Sequence, residues 1–166
     1  QASLTGHLVF STLHTNNAAG ALPRLSDMNQ EPYLVSSTVT AIMGQRVVRK
    51  ICPTCKIPKV VSPEAMERLK TFLGKLYTPT DDRRVQFFMG KGCKECNNTG
   101  YLGRVGIFEV LLITEKVARK ILAREPAQTI EAEAVAEGMI TMKQDGFLKV
   151  LNGETTMEEV LRVAEE

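Results

Sequence analysis

At 166 residues, with 43% hydrophobic and 24% charged residues, the chain has the profile of an ordinary globular protein: one domain, or one with a small appended lobe. A formal net charge of +2, with no basic run beyond Arg49-Lys50 or Arg83-Arg84, gives no electrostatic footprint for nucleic acid or an anionic membrane. No apolar run approaches the roughly 18 residues of a bilayer span, no charged-then-apolar leader argues for export, and an opening Gln1 reads as a piece of a longer protein.

In chain order, Gly6 to Leu13 (GHLVFSTL) has the β-branched and aromatic density of a buried strand. Asn16 or Thr15 then caps a helix over about Ala18 to Met28, which Pro23 kinks or delays. Pro32 suits the first position of a helix continuing from Tyr33 to Lys50, because Val35, Val39, Ile42, Met43 and Val47 recur at helical spacing. Ser62-Pro63 starts a short amphipathic helix to about Lys75, and Val85 to Phe88 is a short strand. Val105 to Leu112 is another strand. Thr114 caps a helix to about Arg124, and Thr129 caps one ending near Gly138. A helix over Met142 to Leu151 stops at Asn152-Gly153, and Thr156 with Glu159 has the spacing of a capping box.

All four cysteines fall in two CxxC pairs, Cys52/Cys55 and Cys93/Cys96, separated by 37 residues. Each pair puts two sulfurs on one side of a tight loop, and two such loops close a four-thiolate shell that suits zinc. Two disulfides or a redox pair are the competing uses. A chain that reads as cytosolic favours the metal, and an all-thiolate shell leaves no open position, so the zinc is expected to be structural.

The two histidines, His7 and His14, lie an odd number of residues apart, so on an unbroken strand they would face opposite ways. They serve one pocket only if the strand ends between them and His14 swings over its C-terminal edge, where open α/β sheets bind ligands. Thr12, Thr15 and Asn16 would add groups able to touch phosphate oxygens. The plainer use is structural, with His7 satisfying a core contact and His14 beginning a loop. No Ser–His–Asp set, paired carboxylates or GxxxxGK[ST] phosphate loop occurs in the chain.

The run Leu4 to Ala18 (LTGHLVFSTLHTNNA) resembles the histidine box of the secretion ATPase superfamily. The resemblance continues through Arg24-Leu25, Glu31 to Leu34 (EPYL), Gln45 to Arg49 (QRVVR), both CxxC pairs and Gly100 to Glu109 (GYLGRVGIFE). It extends to Glu137 to Thr141 (EGMIT), Asp145-Gly146 and Thr155 to Leu161 (TTMEEVL), in the order of the C-terminal part of type II secretion and type IV pilus assembly ATPases. The tetracysteine loop is similar to that of the assembly motors; the retraction ATPases lack it.

This resemblance implies an α/β fold: the end of a RecA-like P-loop ATPase core over 1–50, a tetracysteine zinc lobe over 51–100, and a short strand with a helical subdomain over 101–166. It implies a homo-hexameric ring at the cytoplasmic face of the bacterial inner membrane, using ATP and Mg²⁺ and engaging a membrane platform protein. The phosphate loop and catalytic carboxylate would lie upstream of Gln1, leaving this fragment inactive and monomeric or weakly associating. His14 is implied near the γ-phosphate, with His7 in the same box and Thr12 and Thr15 beside them. Arg46 and Arg104 are implied as nucleotide contacts, against a reading of Arg46 as an ordinary surface arginine. The family's box usually reads Thr-Asn-Asp, and Asn17 stands here in place of the acid. The alternative function is a non-enzymatic zinc-stapled interaction module.

Overall fold

The computed structural model describes residues 2–78 and 87–164 as a mixed α/β chain in two compact units, Gln1–Gly44 with Glu109–Thr141 and Gln45–Phe108 with Met142–Glu166. Two long strands, β1 (Ala41–Ile51) and β4 (Tyr101–Leu112), contribute residues to both units and are hydrogen-bonded neighbours. Ile113 N–H donates to Thr40 O at 3.0 Å, and Cys52 N–H donates to Gly100 O at 3.0 Å. These bonds bracket the pair and make it antiparallel.

The first unit holds α1 (Ala21–Asp27), α2 (Pro32–Thr38), α4 (Glu115–Leu122) and α5 (Ala127–Ala136). Its core gathers Ala18, Ala19, Leu22, Val35, Leu111, Val117, Ile121, Ile130 and Ala134. Val117 and Ile121 stand one turn apart on one face of α4, and Thr114 caps that helix by accepting the Val117 N–H at 3.3 Å.

The second unit holds α3 (Pro63–Leu73), α6 (Met142–Leu151), α7 (Met157–Ala164) and an antiparallel pair, β2 (Lys56–Lys59) with β3 (Phe87–Gly90). Ser62 caps α3 through the Ala65 N–H, with Pro63 at the first helical position. Leu69, Leu73, Phe87, Phe147, Val150 and Val160 form its larger core, and Phe72 meets Phe147 edge-on at 5.4 Å.

A buried ion network ties β1 to α7. Glu159, 2% exposed, accepts from Arg49 N at 3.1 Å, Arg49 Nη2 at 2.5 Å, and Arg162 Nε and Nη2 at 3.1 and 2.9 Å. Burial alone would raise its pKa, but the two guanidinium groups prevail and hold it down at about 2. Arg49 also lies over the Tyr101 ring at 4.3 Å, whose hydroxyl is 2.9 Å from Thr156 Oγ1. Thr156 accepts the Glu159 N–H at 3.3 Å, so half of the expected capping box forms, while the Glu159 carboxylate is engaged by the arginines.

Four expectations are corrected. Gly6 to Leu13 is irregular and exposed, Leu8 by 84% and Phe10 by 87%, because no strand among the described residues pairs with it. The helix expected to run to Lys50 ends at Thr38, and residues 41–51 are β1. Its helical spacing overlaps an alternation in which Ile42, Gly44, Arg46 and Val48 turn inward between more exposed neighbours. Of the strand expected over Val85 to Phe88, Phe87 and Phe88 lie in β3; Val85 and Gln86 lie outside the described residues. Thr129 sits inside α5, which starts after Pro126. Neither Asn16 nor Thr15 is the N-cap of α1, which is Gly20; the helix has the late start expected from Pro23, at Ala21, with Pro23 inside its first turn, where no intrahelical N–H is needed.

Candidate metal centre and histidine segment

Strand β1 delivers Cys52 to a short 3-10 turn over Pro53–Cys55, and the β2–β3 pairing returns the chain to the same place. Lys91 N–H donates to Cys55 O at 2.9 Å, which sets the second CxxC against the first. Asn97 and Asn98 then take left-handed backbone angles, and the Asn98 N–H closes the turn on Cys93 O at 2.8 Å. The turn is shut at its base by two glycines in backbone contact. A Cβ on Gly90 would lie 2.0 Å from Gly100 O, and one on Gly100 would lie 2.6 Å from Gly90 O. Only residues without side chains let the two segments meet there.

The result brings Cys52, Cys55, Cys93 and Cys96 together, with every sulfur within 4.8 Å of the others. The sulfurs stand 3.8 Å apart for Cys52–Cys93, 3.9 Å for Cys55–Cys96 and 3.7 Å for Cys93–Cys96. A tetrahedron of four sulfurs at the zinc–thiolate distance of about 2.3 Å has edges of about 3.8 Å. No two of the four sulfurs are joined in a disulfide. The donor set fits a closed four-thiolate metal site.

Backbone N–H groups point at two of the four sulfurs. Gly92 N–H points at Cys55 Sγ at 3.3 Å, and Cys96 Sγ accepts from Cys93 N at 3.2 Å and Gly100 N at 3.3 Å. Burial pushes the Cys55 thiol up to about 12. At Cys96 burial pushes the same way, but the Cys93 and Gly100 N–H groups outweigh it and bring the thiol down to about 6. Thr54 Oγ1 donates to Glu95 Oε2 at 2.5 Å, a side-chain clasp between the two knuckles.

The expected nucleotide contacts lie in the segment before α1 and on β1 and β4. His7 and His14 both lie in the irregular segment and are exposed, as is Thr12; Thr15 is half-buried. His7 Nδ1 is 2.9 Å from Thr5 Oγ1, and Thr15 Oγ1 donates to Asn17 O at 2.9 Å. Arg46 is half-buried on β1, and Arg104 is exposed on β4.

Two side chains beyond His14, Glu109 and Glu131, escaped the sequence reading, and both engage the turn that carries Asn17. Glu109, 4% exposed on β4, accepts the Ala18 N–H at 2.6 Å. Asn17 Oδ1 accepts the Gly20 N–H at 2.8 Å, and Asn17 Nδ2 donates to Glu131 Oε2 at 3.3 Å. Burial, with the Glu109 charge adding to it, raises the Glu131 pKa. The available signal was Glu109 itself, an acid alternating with Ile107 and Leu111 on the inward side of an apolar strand.

Among the described residues no helix is long and apolar enough to cross a membrane. A family model described as Type II/IV secretion system protein matches residues 1–162. The chain is 46% identical over 167 residues to the Type II secretion system protein E of Dickeya dadantii (strain 3937), covering 100% of this chain and 31% of that protein. It is 41% identical over 166 residues to the Type II secretion system ATPase E of Vibrio cholerae, again covering 100% and 31%. It is 39% identical over 161 residues to the Type IV pilus assembly ATPase PilB of Thermus thermophilus, covering 97% and 17%. The chain thus spans under a third of the length of these relatives.

Proposed function

The chain belongs to the Type II/IV secretion system protein family, and from that membership we propose that it is part of a RecA-like motor ATPase driving type II secretion or type IV pilus assembly. The full-length protein works as a homo-hexamer at the cytoplasmic face of the inner membrane and couples ATP hydrolysis to a membrane platform protein. Support comes from the ordered match along residues 1–162 to relatives named for these machines.

Within that motor, Cys52, Cys55, Cys93 and Cys96 hold zinc in a structural role. A bound zinc ion supplies cross-linking between the knuckles rather than Lewis acidity, since four thiolates complete its shell. His14 faces the γ-phosphate and stabilises its charge, with His7, Thr12 and Thr15 beside it and Arg46 and Arg104 as further nucleotide contacts. Their task is positioning and electrostatics, which is what phosphoryl transfer asks of a protein.

The observation that carries the metal assignment is the four-sulfur cage, with three of its six edges at 3.7–3.9 Å and every edge within 4.8 Å. Full-length protein purified without added metal is expected to contain one zinc per chain by atomic emission. In the same protein, His14→Ala is expected to keep nucleotide affinity while turnover falls roughly 10- to 1,000-fold, the loss of one charge-stabilising contact. Absence of metal sinks the first assignment, and wild-type turnover in His14→Ala sinks the second.

A further inference from the structure

Two residues separate His14 from Asn17; Thr15 Oγ1 donates to Asn17 O from the near side, and two carboxylates and an amide hold the far side. The Ala18 N–H is taken by Glu109 and the Gly20 N–H by Asn17. Gly20 leaves room for the second bond, since a Cβ there would stand 2.8 Å from Asn17 Oδ1. Asn17 is used at both ends. Its oxygen must face the Gly20 N–H, because a backbone amide only donates; its NH₂ must then face Glu131, because a carboxylate only accepts. Aspartate could make the first bond but not the second. It would also add a third carboxylate to a place where Glu109 and Glu131 already repel each other.

We propose that Asn17 is a positioning residue for His14, matched to Glu131 and held in register by the bond from Ala18 to Glu109. The catalytic half of this proposal rests on the reading of His14 as a γ-phosphate contact. The side-chain amide is the specific requirement: one group bridges the start of α1 to a carboxylate on α5, and the loop carrying His14 leaves from that bridge.

The test compares Asn17→Asp, Glu131→Gln and the double variant in the full-length protein. The double variant exchanges donor and acceptor, since Gln at 131 can donate to Asp at 17, so a residue that merely fills space would not be rescued. Two readouts are taken. By hydrogen exchange, peptides covering residues 15–22 are expected to open at least about tenfold faster in Asn17→Asp and to regain their protection in the double variant. By phosphate release, kcat is expected to fall about tenfold in Asn17→Asp with little change in KM for ATP, and to return to within about threefold in the double variant.

Unchanged exchange in Asn17→Asp, or failure of Glu131→Gln to restore it, overturns the bridge whatever His14 does. If exchange behaves as expected and His14→Ala lowers turnover, but Asn17→Asp does not, the bridge stands and its positioning role is wrong. Wild-type turnover in His14→Ala overturns the nucleotide reading and the catalytic half together, and the exchange result then decides the bridge alone.

Discussion

The cysteines of the second unit are gathered by turns whose residues are near neighbours in the chain, with one pairing of two short strands to bring the turns together. The turn after His14 in the first unit is held instead by carboxylates 91 and 114 residues further on. A metal site concentrates its binding energy in four bonds to one ion, so it tolerates a small local core and fails all at once when a ligand is lost. A turn fixed by scattered carboxylates draws on a core that exists for other reasons, and losing one contact displaces it without dissolving it. The two units therefore differ in how abruptly they should respond to damage.

The largest effect expected from this difference follows Cys52→Ser. Metal is lost, and hydrogen exchange across residues 52–59 and 87–100 rises by orders of magnitude, while α4 and α5, whose core shares no residue with the cage, keep their protection. Equal loosening of α4 and α5 would break the distinction between the units. Chelation of the wild-type protein should reproduce the pattern and reverse on adding zinc.

An intermediate effect is expected at Glu159, a buried point where the second unit also depends on a distant charge. Glu159→Gln should destabilise that unit by about 2 kcal/mol at pH 7, reduced from the full linkage value because both arginines are about half exposed. The folded pKa is depressed, from 4.5 to about 2, so this contribution is complete above the ordinary carboxylate range and is lost as pH falls from about 4.5 toward 2. Denaturant titrations at a series of pH values should therefore show wild type and variant converging in acid. A gap that stays constant down to pH 2 would mean that packing rather than charge is the source.

The smallest expected effect is at Lys59, which pairs with Glu158 in the open. Lys59→Ala should cost at most about 1 kcal/mol and leave metal content unchanged. A larger loss would show that the surface pair, and not the buried one, fastens α7.

What could be read from the sequence follows the same division. The CxxC pairs, the Ser62 and Thr114 caps and the extent of α6 are decided by residues within a turn of each other, and each is found where expected. Strand β1 was misread because its apolar residues satisfy a helical period as well as an alternating one, and only β4, some sixty residues away, selects between them. The segment over 6–13 has strand-forming residues, but strand propensity becomes a strand only beside a neighbour. Glu159 was legible as a capping residue, whereas its pairing with Arg49 required knowing that β1 is a strand at all.

The Glu159–Arg49 contact also sets an order of events during synthesis. The two residues are 110 positions apart, so a ribosome adding about 5–20 residues per second leaves Arg49 without its partner for roughly 5–20 s. Both CxxC knuckles are made within that interval, well before Met157–Ala164. If the cage takes zinc as proposed, its thiols can meet the ion before α7 is made, and loading is then an early, vectorial step that α7 closes over.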